Sequence, residues 1–198
     1  MTVLDVAALC VLAIFPTFPL NWLAVHGLRR LWKRLGGQAI ILVWGLMALL
    51  LTASFWFVFA HRGEVLGLRA STGVAALGGW SLLAAWLFSE YWIARELGVV
   101  RLVGLSELLS PGGGAGPITG GPYSLLRHPR YASDWLLFLG LFLSTGLWAM
   151  VGLCLYWAAG LALVIPLEER ELVERFGEAY LCYRRRVPAL FPRLRRSR

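Results

Sequence analysis

A few groups of residues in this 198-residue chain are of types and spacings that do chemistry. The first is Gly121-Pro122-Tyr123-Ser124-Leu125-Leu126-Arg127-His128-Pro129-Arg130-Tyr131. It gathers a Gly-Pro turn, two tyrosines, two arginines and a histidine directly against an apolar run. The second is Glu168-Glu169, at the far end of that run. Glu90 and Asp134 stand alone, each at the edge of apolar sequence.

His128 precedes a proline, so its backbone is pushed towards extended geometry. Non-helical backbone beside hydrocarbon is tolerated only when packed in protein or lining a cavity. The segment is therefore one wall of a pocket or an interfacial anchor, since Arg and Tyr also snorkel at span ends. The residues alone leave both open. Glu168 and Glu169 follow Pro166, where carboxylates favour the first turn of a helix. Glu171 and Arg175 have the i,i+4 spacing of a solvated pair. Glu168 lies closest to the membrane and, through a hairpin, returns to the side of His128. An ionisable group in a span is a functional candidate, which applies to Glu90 and Asp134. Glu90 has the alternative of pairing with Arg95.

The elements that position these groups are membrane-grade. Hydrophobic residues make up 59% of the chain and charged ones 15%, against about a quarter charged in soluble domains. This excludes an ordinary water-soluble domain. The net charge of +8 sits in short loops and the tail, which excludes nucleic acid as the partner and follows the pattern of membrane topology. Cys10, Cys154 and Cys182 offer neither a disulfide framework nor a CxxC metal spacing, so no metal is expected. No basic residue precedes the first apolar run, so it is expected to stay as a span rather than be cleaved.

Five spans are predicted. The first runs from Val6 to Val25, with Pro16 and Pro19 kinking it. The second covers Ala39 to Ala60 and the third Thr72 to Ile93, where Gly78-Gly79 permits close helix contact. Pro111 to Pro117 is a glycine-rich connector, neither a P-loop nor a dinucleotide fingerprint. The apolar run Ala132 to Pro166 is too long for one span, and Ser144-Thr145-Gly146 is its break, giving a tight helical hairpin. In the tail, Leu172, Phe176, Tyr180 and Tyr183 recur at helical spacing, which predicts an amphipathic helix on the membrane surface, ended by Pro188 and Pro192.

Four Lys/Arg follow the first span, four lie between the third span and the hairpin, and nine lie in the tail. Only Arg62 and Arg69 lie on the opposite side. Basic loops stay cytoplasmic, which predicts the N-terminus outside and the C-terminus inside. The bias of 18 arginines to one lysine hints at a GC-rich bacterium, hence an inner membrane.

In order, the chain carries Gly121-Pro122-Tyr123, Arg127-His128-Pro129-Arg130-Tyr131, Glu168-Glu169, Phe176-Gly177-Glu178-Ala179-Tyr180, Tyr183 and Arg186-Val187-Pro188. This resembles the isoprenylcysteine carboxyl methyltransferase family, whose relatives include membrane phospholipid methyltransferases. The likeness covers Ile118 to Pro192. It implies an all-α integral membrane protein, one membrane domain over 1–198. Three spans would lie in 1–95, and a cofactor loop, hairpin and cytoplasmic tail helix in 96–198. It implies an S-adenosylmethionine site built without a Rossmann sheet. Pro117, Ile118, Thr119, Tyr123, Arg127, His128, Pro129, Arg130, Tyr131, Glu168 and Glu169 would hold the cofactor. A glutamate would pair its ammonium, tyrosine faces would meet its sulfonium, and His128 or Arg127 would hold its carboxylate. The acceptor would be lipophilic: an isoprenylcysteine-type carboxylate or a phospholipid amine. No catalytic residue follows, because methyl transfer asks mainly for positioning. Val164 stands where the isoprenylcysteine enzymes carry an arginine facing the acceptor, so the acceptor end is open; Ser133, where the family usually has glycine, is a small change. Two other readings are a membrane NADPH-dependent reductase related to sterol reductases and a non-catalytic membrane scaffold. Oligomeric state is not legible.

Overall fold

The computed structural model describes residues 1–35, 38–73, 75–97 and 116–191, and these are helical, with a single isolated bridge, Arg69 to Leu147. Gly36-Gly37, the Pro111–Ala115 part of the connector and Pro192 lie outside the described residues. The helices are α1 (Val3–Ile14), α2 (Thr17–Gly27), α3 (Arg29–Leu35), α4 (Gln38–Ala60), α5 (Arg62–Gly67), α6 (Ala75–Leu97), α7 (Pro129–Thr145), α8 (Trp148–Phe176) and α9 (Glu178–Arg186), with a 3₁₀ turn at Gly121–Ser124. They fall into two compact units, Met1–Leu82 with Phe138–Glu168, and Leu83–Leu137 with Glu169–Arg198.

The first unit begins with a reciprocal cap. Thr2 N–H donates to Asp5 Oδ2 at 2.7 Å and Asp5 N–H to Thr2 Oγ1 at 3.2 Å. The predicted kink is a break at Phe15-Pro16, where the Thr17 hydroxyl takes the Ile14 carbonyl at 2.7 Å. Pro19 lies in the first turn of α2, where its missing N–H costs little. Leu9 and Ala13 of α1 pack on Val58 of α4. The outer side of α4 exposes Ile41 (74%) and Trp56 (72%), a surface suited to lipid. Where the sequence predicts only a loop after His61, the chain forms α5, and Arg69 then reaches Asp5 Oδ1 at 2.9 Å.

The hairpin breaks where predicted. Gly146 adopts φ +75, and a Cβ there would collide with the Ala70 carbonyl, so only glycine fits the turn. Ala70 N–H donates to Gly146 O at 2.8 Å. Gly79 of α6 meets α7 closely, for a Cβ would stand 2.8 Å from both Gly140 O and Ser144 N. Phe15, Phe138 and Trp157 close edge-to-face, with centroids 4.9 to 5.8 Å apart.

Among the described residues, three helical stretches are long and apolar enough to cross a membrane: Val3–Val25, Ile41–Ala60 and Trp148–Phe176. These match the predicted first, second and last spans. The predicted third and fourth spans correspond to α6, diluted by Trp, Gly, Ser and Glu90, and to α7, which has 17 residues. The tail differs from expectation in one respect. Pro166 does not separate span from tail; α8 runs through it to Phe176. Proline forfeits one ladder bond, to Ala162, and a helix held on both sides absorbs that. The real break is Gly177, at φ +55, so the apolar stripe is divided between α8 and α9.

Candidate functional site

The second unit holds most of the candidate residues. Pro117 to Thr119 run without helix, and Gly120 and Gly121 then pass beneath the Glu96 side chain at the end of α6. A Cβ on either glycine would stand 2.7 Å from a Glu96 oxygen, and Gly121 has φ +51. The chain therefore turns in the only residue types that admit this approach. Pro122 opens the 3₁₀ turn, and the Ser124 hydroxyl closes it on Gly121 O at 2.7 Å.

Arg127 and His128 then run out of helix, as the following proline requires, and Pro129 begins α7 at the position proline favours. Their backbone donors are taken by the tail. Arg127 N–H donates to Pro188 O at 2.8 Å, and His128 N–H to Ala189 O at 3.0 Å. The side chains deepen the same clasp. Glu169 Oε1 accepts from Arg127 Nε at 2.7 Å and Nη2 at 2.6 Å, and lies 3.3 Å from His128 Nε2. Its other oxygen lies 3.2 Å from Arg184 Nε. Arg127 Nη1 donates to the Arg184 carbonyl at 3.1 Å and also to that of Val187. His128 lies parallel to Tyr131, rings 5.5 Å apart. The buried Tyr183 hydroxyl donates to Tyr123 O at 2.7 Å, and burial pushes its phenol up to about 12, so it stays a donor at any ordinary pH.

Tyr123, Arg127, His128, Tyr131 and Glu169 are thus brought together in one unit. Arg127 and Glu169 are committed to each other and to the tail. Glu169 is buried, whereas Glu168, the last residue of the first unit, is half-buried and Arg130 is exposed. The sequence reading missed Arg184, the Val187–Ala189 backbone and Glu96. Arg186-Val187-Pro188 was the available signal, because a proline just after a helix cannot continue it and marks where the chain leaves. Glu90 accepts from Ser133 Oγ at 2.6 Å.

Residues 74–179 match the model of the phospholipid methyltransferase family, just over half of the chain. A 78-residue stretch is 45% identical to the cobalt-zinc-cadmium resistance protein CzcN of Cupriavidus metallidurans. That stretch is 39% of this chain and 36% of CzcN, so the chain spans about a third of its relative's length. No solved structure matches. With its long apolar helices, and with this match running through both motif segments and the hairpin between them, the chain belongs to the phospholipid methyltransferase family.

Proposed function

We propose that this integral membrane protein is a methyltransferase that uses S-adenosylmethionine and acts on a lipophilic acceptor, either an isoprenylcysteine-type carboxylate or a phospholipid amine. The observation that carries the reading is the family match over 74–179, which includes every proposed cofactor residue.

The donor set suits such a cofactor, which supplies an activated methyl group on a sulfonium. Tyr123 and Tyr131 are half-buried, and a tyrosine ring attracts a cation by ~0.5–2 kcal/mol. Pro117, Ile118 and Thr119 offer non-helical backbone to a purine edge. Glu168 offers a carboxylate to an ammonium through charge-assisted hydrogen bonds. Arg130 caps the wall with a cation. Arg127 and Glu169, expected at the cofactor, also bond to each other and to the tail. Their bonds to the tail hold His128, Pro129 and Tyr131 in place.

The membrane arrangement that fits is five spans, with α6 and α7 as the third and fourth. The N-terminus lies outside; the C-terminus and active site are cytoplasmic, in a bacterial inner membrane. The partners are membrane lipids and the acceptor, with no nucleic acid.

Calorimetry on the purified protein in detergent tests the reading. S-adenosylhomocysteine should bind wild type and be lost in Glu168→Ala and His128→Ala. Binding of NADPH in its place would favour the reductase, and binding of neither would favour the scaffold.

A further inference from the structure

Arg95 lies in the last turn of α6, just past the expected third span. The sequence offered Glu90 as its partner, but Glu90 receives the Ser133 hydroxyl at 2.6 Å. Glu96, the other acid of α6, lies over Gly120 and Gly121. Arg95 makes no hydrogen bond or ion pair among the described residues. With Phe88, Tyr91 and Trp92 it lines a cavity of about 260 Å³. The spacing i, i+3, i+4 and i+7 sets these four on one face of the helix. Phe88 and Tyr91 are each 64% exposed and Trp92 37%. The Phe88 and Trp92 rings are tilted at 43°, with centroids 6.2 Å apart. The Tyr91 hydroxyl and the Trp92 indole N–H reach no acceptor among the described residues.

A guanidinium at the end of a row of exposed aromatic rings has a definite complement in a membrane. Phe88 to Arg95 covers about 10 Å along α6. A lipid of that depth runs from its upper acyl chain to its phosphate, and Tyr and Trp favour the level between. Ring surface then meets chain and glycerol, and the cation meets phosphate. Arginine holds a phosphate through two parallel N–H bonds. A choline or ethanolamine group would extend past the phosphate, away from the rings and beside Arg95 itself. No acid of α6 is placed to receive it, since Glu90 is taken by Ser133 and Glu96 lies over the two glycines. The charge therefore selects a headgroup that is negative overall, as basic sites at membrane edges do.

We propose that Phe88, Tyr91, Trp92 and Arg95 bind one anionic phospholipid, with its phosphodiester on Arg95 and its glycerol and upper acyl chain on the rings. This rests on the reading of α6 as a span, and not on the methyltransferase reading. The lipid is a bound partner and not the acceptor, since none of the four residues belongs to the proposed cofactor wall. Its binding fixes the last turn of α6. Glu96 stands in that turn and packs over Gly120-Gly121, where the chain turns into the Tyr123 to Tyr131 segment. An anionic lipid on Arg95 thereby steadies the start of that segment.

The test uses the full chain, stripped of lipid in detergent, with phosphatidylglycerol as probe and phosphatidylcholine as zwitterionic competitor. Native mass spectrometry counts the retained lipid, and melting curves read its effect. Wild type should retain one phosphatidylglycerol that Arg95→Gln holds about tenfold more weakly, the size of a lost hydrogen bond to a charged group. Arg95→Lys should fall between, because it keeps the charge and loses the fork. Tyr91→Leu, at an exposed position, should weaken retention about threefold, the worth of one aromatic contact. Arg62→Gln should match wild type, since that exposed guanidinium lies on the Phe59 carbonyl. The lipid should raise the melting temperature of wild type but not of Arg95→Gln, and lipid-free curves of the two should coincide. Equal retention by wild type, Arg95→Gln and Tyr91→Leu overturns the proposal. Displacement of the Arg95-dependent lipid by an equal amount of phosphatidylcholine overturns it too. Protein that retains the lipid through Arg95, yet binds no S-adenosylhomocysteine, would overturn the methyltransferase reading and keep the lipid site.

Discussion

Arg127 and Glu169, two of the side chains expected at the cofactor, bond to each other and to the tail. Arg127 and Glu169 have side chains 10% and 8% exposed, and their contacts go to each other, His128, Arg184 and the tail carbonyls. A buried pair of this kind need not add net stability, but breaking it strands a charge. Arg127→Ala should therefore cost about 3–5 kcal/mol and lower the melting temperature in detergent by about 10 °C. Glu168→Ala should leave the melting temperature almost unchanged while abolishing S-adenosylhomocysteine binding. Equal thermal losses in both would place Glu168 in the clasp as well. Tyr183 gives a second residue-level test. Its pKa rises from 10.0 unfolded to about 12 folded, so the folded state holds its proton longer. Below pH 10 this contributes no pH dependence; between 10 and 12 stability falls as pH rises. Tyr183→Phe should lose about 1 kcal/mol at neutral pH, the worth of one hydrogen bond, and show a smaller decline above pH 10. Thermal unfolding across pH 8 to 12 measures both. The hairpin's return of the Glu168-Glu169 end to His128 was legible in sequence, but not the individual bonds of the clasp, whose partners across the hairpin lie 41 to 61 residues apart.

The helices were easier to read than their junctions. The Pro16 break, the Gly146 turn and the Gly79 contact each follow from one residue type whose backbone behaviour is local. Pro166 misled because the same local rule was outweighed by the apolar run on one side and the charged, amphipathic stretch on the other. Gly177, which does end α8, looks no different in sequence from glycines lying inside helices, such as Gly152. The identity of the His-Pro-x-Tyr segment was legible for the opposite reason, since proline fixes both its own residue and the one before. At this scale Gly146→Ala is the informative change. It forces an L side chain into φ +75 against the Ala70 carbonyl, so it should destabilise by about 1–3 kcal/mol. Gly152→Ala meets no atom within 4 Å and should stabilise slightly or do nothing. Paired melting curves for the two variants decide whether the turn or merely glycine content sets hairpin stability.

For the molecule as a whole, orientation follows from counting charges and spans together. Among the described residues three stretches qualify as spans by length and composition, and an odd total would place the two termini on opposite sides. The tail carries nine arginines after Pro166, far more than the two in the His61–Ala70 loop, so the tail should be cytoplasmic. If α6 and α7 also cross, the total stays odd; if only one of them does, it becomes even and both termini share a side. Reporter fusions separate these cases. A C-terminal green fluorescent protein should fluoresce, and alkaline phosphatase at the same point should be inactive. Alkaline phosphatase inserted between Gly67 and Leu68 should be active, because that loop is expected outside. An N-terminal tag reached by impermeant protease in intact cells completes the odd count. A protected N-terminus together with a cytoplasmic tail would mean that α6 or α7 stops short of crossing.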